Sequence, residues 1–169
     1  MRIIYMGTPE FAVEQLRRLV EMGHEICGVF TQPDKPKNRG MKLTFSPVKE
    51  YALTQGLEVY QPTKMRDGTA LAIVEKLQPE LTVVAAYGRI LPEDILAVPP
   101  LGSINVHSSI LPQYRGAAPI NWAILDGCKE TGVTIMHMAK ELDAGDIICV
   151  KKTEILPDEN AQELTYRLA

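Results

Sequence analysis

Residues 2–31, RIIYMGTPEFAVEQLRRLVEMGHEICGVFT, decide the fold class. Ile3 to Met6 is an apolar run stopped by Gly7, the pattern of a buried strand. Thr8 is placed to cap a following helix, Pro9 suits its first turn, and Glu10 complements the positive end of the helix dipole. Phe11, Val13, Leu16, Leu19 and Val20 then recur at helical spacing as far as Gly23, and Glu25 to Thr31 carries Ile26, Val29 and Phe30 in a second strand. Strand, helix, strand with short links is the opening of a parallel α/β sheet, because parallel neighbours need a crossover and a helix supplies it.

The same alternation continues outward. Helical spacing is expected from Val48 to Gln55, a short strand from Leu57 to Tyr60, and a helix from Ala70 to Leu77. Leu81 to Ala86, LTVVAA, reads as a central strand covered on both faces. Pro92 to Leu96 is a short helix, Gly102 to His107 a strand, Pro119 to Leu125 a helix ended by Asp126 and Gly127, and Val133 to Met138 a strand. Asp146 to Glu154 is the last strand. Asn160 to Ala169 is helical, with Leu164 and Leu168 four apart and no glycine or proline to close it, which suggests a piece of a longer protein.

With 169 residues, 46% hydrophobic and 23% charged, the chain has the size and composition of one globular domain. A net charge of -3 argues against a general affinity for nucleic acid or membrane, though not against a local basic patch. Cys27, Cys128 and Cys149 are odd in number and far apart, so neither a disulfide framework nor a zinc site is indicated. The N-terminal apolar run is broken too early for a signal peptide, and no run approaches the roughly 20 residues of a membrane span. The expectation is a monomer of the bacterial cytoplasm.

The pattern fails at one place. Residues 33–49, PDKPKNRGMKLTFSPVK, hold three prolines and little periodicity, as a functional or disordered loop would. Lys35, Lys37, Arg39, Lys42 and Lys49 against Asp34 give five cations to one carboxylate, a local +4 in an acidic chain. A solvated surface loop and an anion-binding one both fit.

Ligands of open α/β sheets bind beyond the carboxyl ends of the strands, which points to 7–9, 31–33, 86–91, 107–116 and 138–146. Asn105 and His107 stand two apart on a strand and therefore share a face. An amide donor beside a ring that can carry a proton suits acyl chemistry; a polar strand end with a packed histidine is the competing reading. Asp143, in ELDAGD beside Ala144 and Gly145, could orient and charge-stabilise His107, with Asp146 as its rival. The first glycine is no GxGxxG fingerprint, and Ser108 and Ser109 lack a nucleophile elbow. His107, His137 and Asp143 have no recognised metal spacing. His137 is expected to be packed or paired within its strand, and Trp122 to be core.

Taken together, Asn105-Val-His107, SSILPQYRGAAPI and ETGVTIMHM…LDAGDI resemble the folate-dependent formyltransferases, over essentially the whole chain. MGTPEFA, FTQPDKPKNRGMKLTFSPVK and LPQYRGAAPINWAI resemble, more narrowly, the branch of that family whose acceptor is initiator methionyl-tRNA. The resemblance implies a Rossmann-like formyltransferase fold, with a mostly parallel central sheet and helices on both faces. It implies a catalytic domain over 1–169, truncated at its C-terminal end, with a basic insertion at 33–49 and the family's C-terminal barrel domain absent. It implies 10-formyltetrahydrofolate as co-substrate, no metal, and Asn105, His107 and Asp143 as catalytic residues. The folate would be held by Ala86, Tyr87, Gly88, Ile90 and Leu91, by Ser109, Ile110, Leu111 and Pro112, and by Met138, Leu142 and Asp143. Initiator tRNA would meet Lys35, Lys37, Arg39 and Lys42. A formyltransferase for a sugar nucleotide or purine intermediate, or a non-catalytic folate-binding module, is the alternative.

Overall fold

Ile3, Ile4, Tyr5 and Met6 are fully buried in β1 (Arg2–Gly7), as the apolar run requires. The structure is a computed structural model describing residues 1–37, 40 and 42–169, with only the backbone of Lys37. The chain divides into two compact units, Met1–Ser103 and Ile104–Ala169.

In the first unit β1 is followed by α1 (Glu10–Glu21) and β2 (Glu25–Phe30). Then come β3 (Lys35–Lys37), β4 (Lys42–Thr44) and α2 (Pro47–Thr54). The remainder is β5 (Val59–Tyr60), α3 (Thr69–Leu77), β6 (Leu81–Ala85) and α4 (Glu93–Leu96). The order β5-β2-β1-β6 is parallel throughout. Helix α1 buries Phe11, Val13 and Leu16 as its spacing predicts, together with Ala12, while Leu19 and Val20 are half-buried in its last turn. The buried Tyr5 hydroxyl donates to the Ala12 carbonyl at 2.5 Å, tying helix to sheet.

Two expectations are corrected here. Thr8 does not cap α1: Pro9 is the N-cap residue, with no side-chain cap bond. The Thr8 hydroxyl instead donates to the Tyr87 carbonyl at 2.9 Å and accepts from the Gln32 amide at 3.3 Å. It joins the carboxyl ends of three strands, where backbone groups out of reach of water need partners. The stretch 33–49 is also not patternless. β3 and β4 pair antiparallel, Lys35 opposite Thr44 and Lys37 opposite Lys42, and residues 47–49 already belong to α2. Ser46 caps that helix through the Lys49 amide at 3.0 Å, and Pro47 takes its first position.

The second unit holds β7 (Ser103–His107), α5 (Pro119–Leu125), β8 (Glu130–His137), β9 (Ile147–Glu154) and α6 (Ala161–Leu168). β7-β8 and β8-β9 are antiparallel. Asn160 and Glu163 form a reciprocal capping box at the start of α6, and Leu164 is fully buried. Trp122 is not core: it lies 52% exposed on α5. His137 is exposed rather than packed, and its backbone amide donates to the Asp146 carbonyl at 2.9 Å. Among the described residues no helix is long and apolar enough to cross a membrane.

Candidate functional site

On β7, Asn105 pairs with Met136 and His107 with Thr134 across the ladder, so the two side chains share one face as their spacing requires. Asp143 meets them there. Asn105 Nδ2 donates to Asp143 Oδ1 at 3.3 Å, and His107 Nδ1 lies 3.7 Å from Asp143 Oδ2. His107 and Asp143 are buried, 7% and 8% exposed. The rival, Asp146, is exposed and contributes its carbonyl to His137.

Backbone geometry aims the carboxylate. Asp143 has φ +50, a left-handed conformation that aspartate tolerates better than most residues. Two residues on, a Cβ on Gly145 would sit 1.7 Å from the His137 carbonyl oxygen, so only glycine lets this turn pass so close to the end of β8. A third donor reaches Asp143 from the loop after β7: the Gly116 amide, 2.8 Å from Oδ2, with φ +86 at Gly116. The carboxylate is thereby held by an amide side chain and a backbone N–H, and it faces an imidazole.

The other ring nitrogen is also engaged. His107 Nε2 donates to the Tyr114 carbonyl at 2.8 Å, which places an oxygen acceptor opposite each nitrogen of the ring. Tyr114 is itself anchored, its hydroxyl donating to Asp126 Oδ2 at 2.7 Å and lying 3.2 Å from Cys128 Sγ. Its phenol is pushed well above the ordinary tyrosine range by the Cys128 contact first and the Asp126 bond second, so it stays a donor at neutral pH. Neither Tyr114 nor Gly116 stood out as a site residue in the sequence, because each acts through its backbone. The glycine after Arg115 was the one available signal.

The residues expected to hold folate fall in both units. In the second, Ser109 is buried and donates to the Gln113 carbonyl at 2.7 Å. Thr134 bonds both the Ser109 carbonyl and the Leu111 amide, fixing the path of Ser109, Ile110 and Leu111. Leu111 is buried, Pro112 exposed, Met138 half-buried, and Leu142 65% exposed. In the first unit, Ala86 and Gly88 are exposed on a turn with φ +47 and +80, Ile90 is 69% exposed and Leu91 is buried. Tyr87 is a core residue: its ring is 2% exposed, burial pushes its phenol up to about 12, and its carbonyl accepts from both Thr8 and Gln32.

Of the residues expected to meet RNA, Lys35 and Lys42 are exposed on the β3–β4 hairpin. Lys37 is described by its backbone alone, and Arg39 lies outside the described residues. Lys49 is different. Its ammonium is bound by Asp34 Oδ2 at 2.8 Å and Gln61 Oε1 at 2.9 Å, and it stands 3.8 Å from the centroid of the Phe45 ring. It is a strut at the base of the hairpin, and its charge is cancelled by Asp34. Among the described residues no group of three or more His, Cys, Asp or Glu is placed to hold a metal ion.

A family model described as formyl transferase matches residues 1–169. The chain is 55% identical over 170 residues to the methionyl-tRNA formyltransferase of Caldanaerobacter subterraneus subsp. tengcongensis, covering 100% of this chain and 55% of that protein. It is 54% identical over 160 residues to the methionyl-tRNA formyltransferase of Clostridioides difficile, covering 95% of this chain and 51% of that one. The chain thus spans about half the length of the curated relatives it matches. A solved phosphoribosylglycinamide formyltransferase from Bacillus halodurans superposes with a TM-score of 0.80 at 20% identity, covering 99% of this chain and 87% of that chain. A sugar N-formyltransferase from a Shewanella species gives 0.70 at 20% identity, over 99% and 63%. Those likenesses show the fold: the Rossmann-like, mostly parallel α/β architecture expected from the sequence.

Proposed function

The chain belongs to the formyl transferase family, and from that premise we propose that it carries the chemistry of a methionyl-tRNA formyltransferase. It would move a formyl group from 10-formyltetrahydrofolate to the α-amine of methionine esterified to initiator tRNA. The observation that carries this reading is the trio in which Asn105 and His107, on one strand face, both address Asp143, with His107 and Asp143 buried and Asn105 half-buried. Two relatives with more than half of their aligned residues identical bear that name.

In the proposed reaction the amine nitrogen attacks the formyl carbon, and the carbonyl π pair moves onto oxygen. Asn105 has given one amide hydrogen to Asp143 and has a second to donate to that oxyanion. His107 Nε2–H already binds an oxygen acceptor, the Tyr114 carbonyl; in the transition state the oxyanion takes that place. Asp143 orients the ring and accepts the proton lost by the attacking amine. Collapse breaks the bond between the formyl carbon and N10 of the folate, and the proton ends on N10. Bond formed, bond broken and proton balance without a covalent enzyme intermediate.

The folate would be held by Ala86 to Leu91 with Ser109 to Pro112 and Met138 to Asp143. For Tyr87 this means the backbone, since its ring is core. Lys35, Lys37, Arg39 and Lys42 would meet the acceptor arm of the tRNA, where phosphate contacts position the substrate. The test is to offer the full-length gene product 10-formyltetrahydrofolate with methionyl-tRNA, glycinamide ribonucleotide or an amino-sugar nucleotide. Formylation of the methionyl ester alone is expected. Transfer to either small acceptor in its place would overturn the reading.

A further inference from the structure

In the first unit, a cavity of about 500 Å³ lies between the start of α1 and the hairpin, lined by Pro33, Pro36, Phe45 and Pro47 with Glu10 and Lys35. That volume is typical of a small-ligand site. Four prolines and Phe45 supply its apolar wall, Thr8, Gln32, Thr44 and Ser46 add polar groups, and Phe45 is the one flat aromatic face among them. Phe45 stands out among them. It is 41% exposed, yet one face of its ring is already covered by the Lys49 ammonium. That ammonium is in turn fixed by Asp34 and Gln61.

An exposed phenylalanine ordinarily costs hydration and turns freely. This one is contacted on its ring by a fixed cation, while it remains 41% exposed and lines the cavity. The cation beneath it draws on the negative π-face, which weakens the repulsion a second stacked ring would feel. Lys35 lines the cavity and Lys42 stands exposed on the paired strand, so positive charge flanks a flat aromatic platform. That combination, an aromatic plane beside cations that can track a backbone, is how proteins hold unpaired nucleotides. Glu10 at the wall is a carboxylate, suited to accept from the exocyclic amine of adenine or cytosine and unsuited to a phosphate.

We infer that Phe45 is a stacking platform for one unpaired nucleotide of the RNA acceptor, with Lys35 toward its phosphate and Glu10 toward its amine. The inference rests on the tRNA reading of the site and adds a recognition residue to it. Every base of the CCA end of a tRNA carries the amine this pocket would read.

The probe is the RNA trinucleotide CCA with a fluorophore on its 5′ end, so that all three bases keep their exocyclic amines, titrated into the full-length protein and followed by fluorescence quenching. Wild type and Phe45→Trp should quench with similar Kd, and Phe45→Leu should bind about tenfold more weakly, the scale of losing one base–aromatic stack. Phe45→Leu should also raise KM for methionyl-tRNA by a similar factor with kcat retained. An unchanged Kd in Phe45→Leu overturns the platform, as does a Phe45→Trp protein no better than Phe45→Leu. Displacement of the trinucleotide by 5-formyltetrahydrofolate also overturns it, since the cavity would then be a folate site. If quenching depends on Phe45 while only glycinamide ribonucleotide is formylated, the platform stands and the substrate reading fails. If methionyl-tRNA is formylated normally by Phe45→Leu, the reverse holds.

Discussion

His107 and Asp143 in the second unit are buried, and each is held by named backbone groups: the Tyr114 carbonyl on one, the Gly116 amide on the other. Lys35 and Lys42 in the first unit are exposed on a two-stranded hairpin, and the sequence between them carries a high share of charge. The contrast separates two kinds of work. Where polar groups are out of water, each donor has one partner and a single atom decides the outcome, because an unpaired buried group keeps its full desolvation cost. Where they are in water, each charge contributes little, the contributions add, and salt screens them.

The sharpest way to break this comparison is to truncate the buried side. His107→Ala and Asp143→Ala should each lower kcat for formyl transfer by about 10² to 10³, the cost of losing one transition-state donor or its support. Folate affinity, measured by equilibrium binding of a non-transferable folate, should change little in His107→Ala and far less than turnover in Asp143→Ala, whose carboxylate also belongs to the proposed folate pocket. A variant with near-normal turnover would reduce the trio to packing and leave no catalytic side to compare.

How far each region could be read from the sequence follows the same division. The pairing of Asn105 with His107 was legible because strand alternation is rigid: two residues apart means one face. That Asp143 and not Asp146 would join them was open on spacing. It is decided by a left-handed φ at Asp143 and by the close pass of Gly145 against His137, neither of which leaves a periodic trace. Tyr114 and Gly116 stayed hidden for a related reason, since a backbone carbonyl and a backbone amide have no residue type. The opening strand, helix and strand are legible throughout, whereas the role of Thr8 is not, because a hydroxyl before a helix can serve the cap or the strand ends. Trp122 shows the limit of hydrophobicity as a guide, since half of it is exposed on a short helix. The hairpin was the least legible element. Three-residue strands bearing one proline and three lysines give no alternation to detect, and the separate role of Lys49 depends on Asp34 and Gln61, 15 and 12 residues away.

A smaller effect sharpens the exposed side. Lys35→Ala with Lys42→Ala should raise KM for methionyl-tRNA by about tenfold at low salt while leaving kcat and folate binding alone. The dependence of log KM on log salt should flatten by roughly 0.7–0.9 for each phosphate that a lysine no longer neutralises. Equal losses at low and high salt would mean that these lysines act through shape and not charge, and the contrast with the buried site would close.

The smallest effect lies between the two extremes, at the half-buried Lys49–Asp34 pair. The Lys49 hydrogen bond first, and the Gln61 bond second, hold the Asp34 carboxyl below the ordinary carboxylate range. A carboxyl whose pKa is depressed on folding lends stability above its unfolded value, about 3.9, and that contribution disappears as pH falls through the depressed value. In a carboxyl-carbon NMR titration Asp34 should therefore titrate below about 3.9 in the wild type and higher in Lys49→Met, where the Gln61 bond alone still lowers it. The difference in melting temperature between the two proteins should be present at about pH 7 and vanish in acid. An Asp34 midpoint unmoved by Lys49→Met would show that the pair is screened like any surface contact. Phe45 would then lose the fixed cation beneath its ring, and the hairpin would be a charged loop without a base.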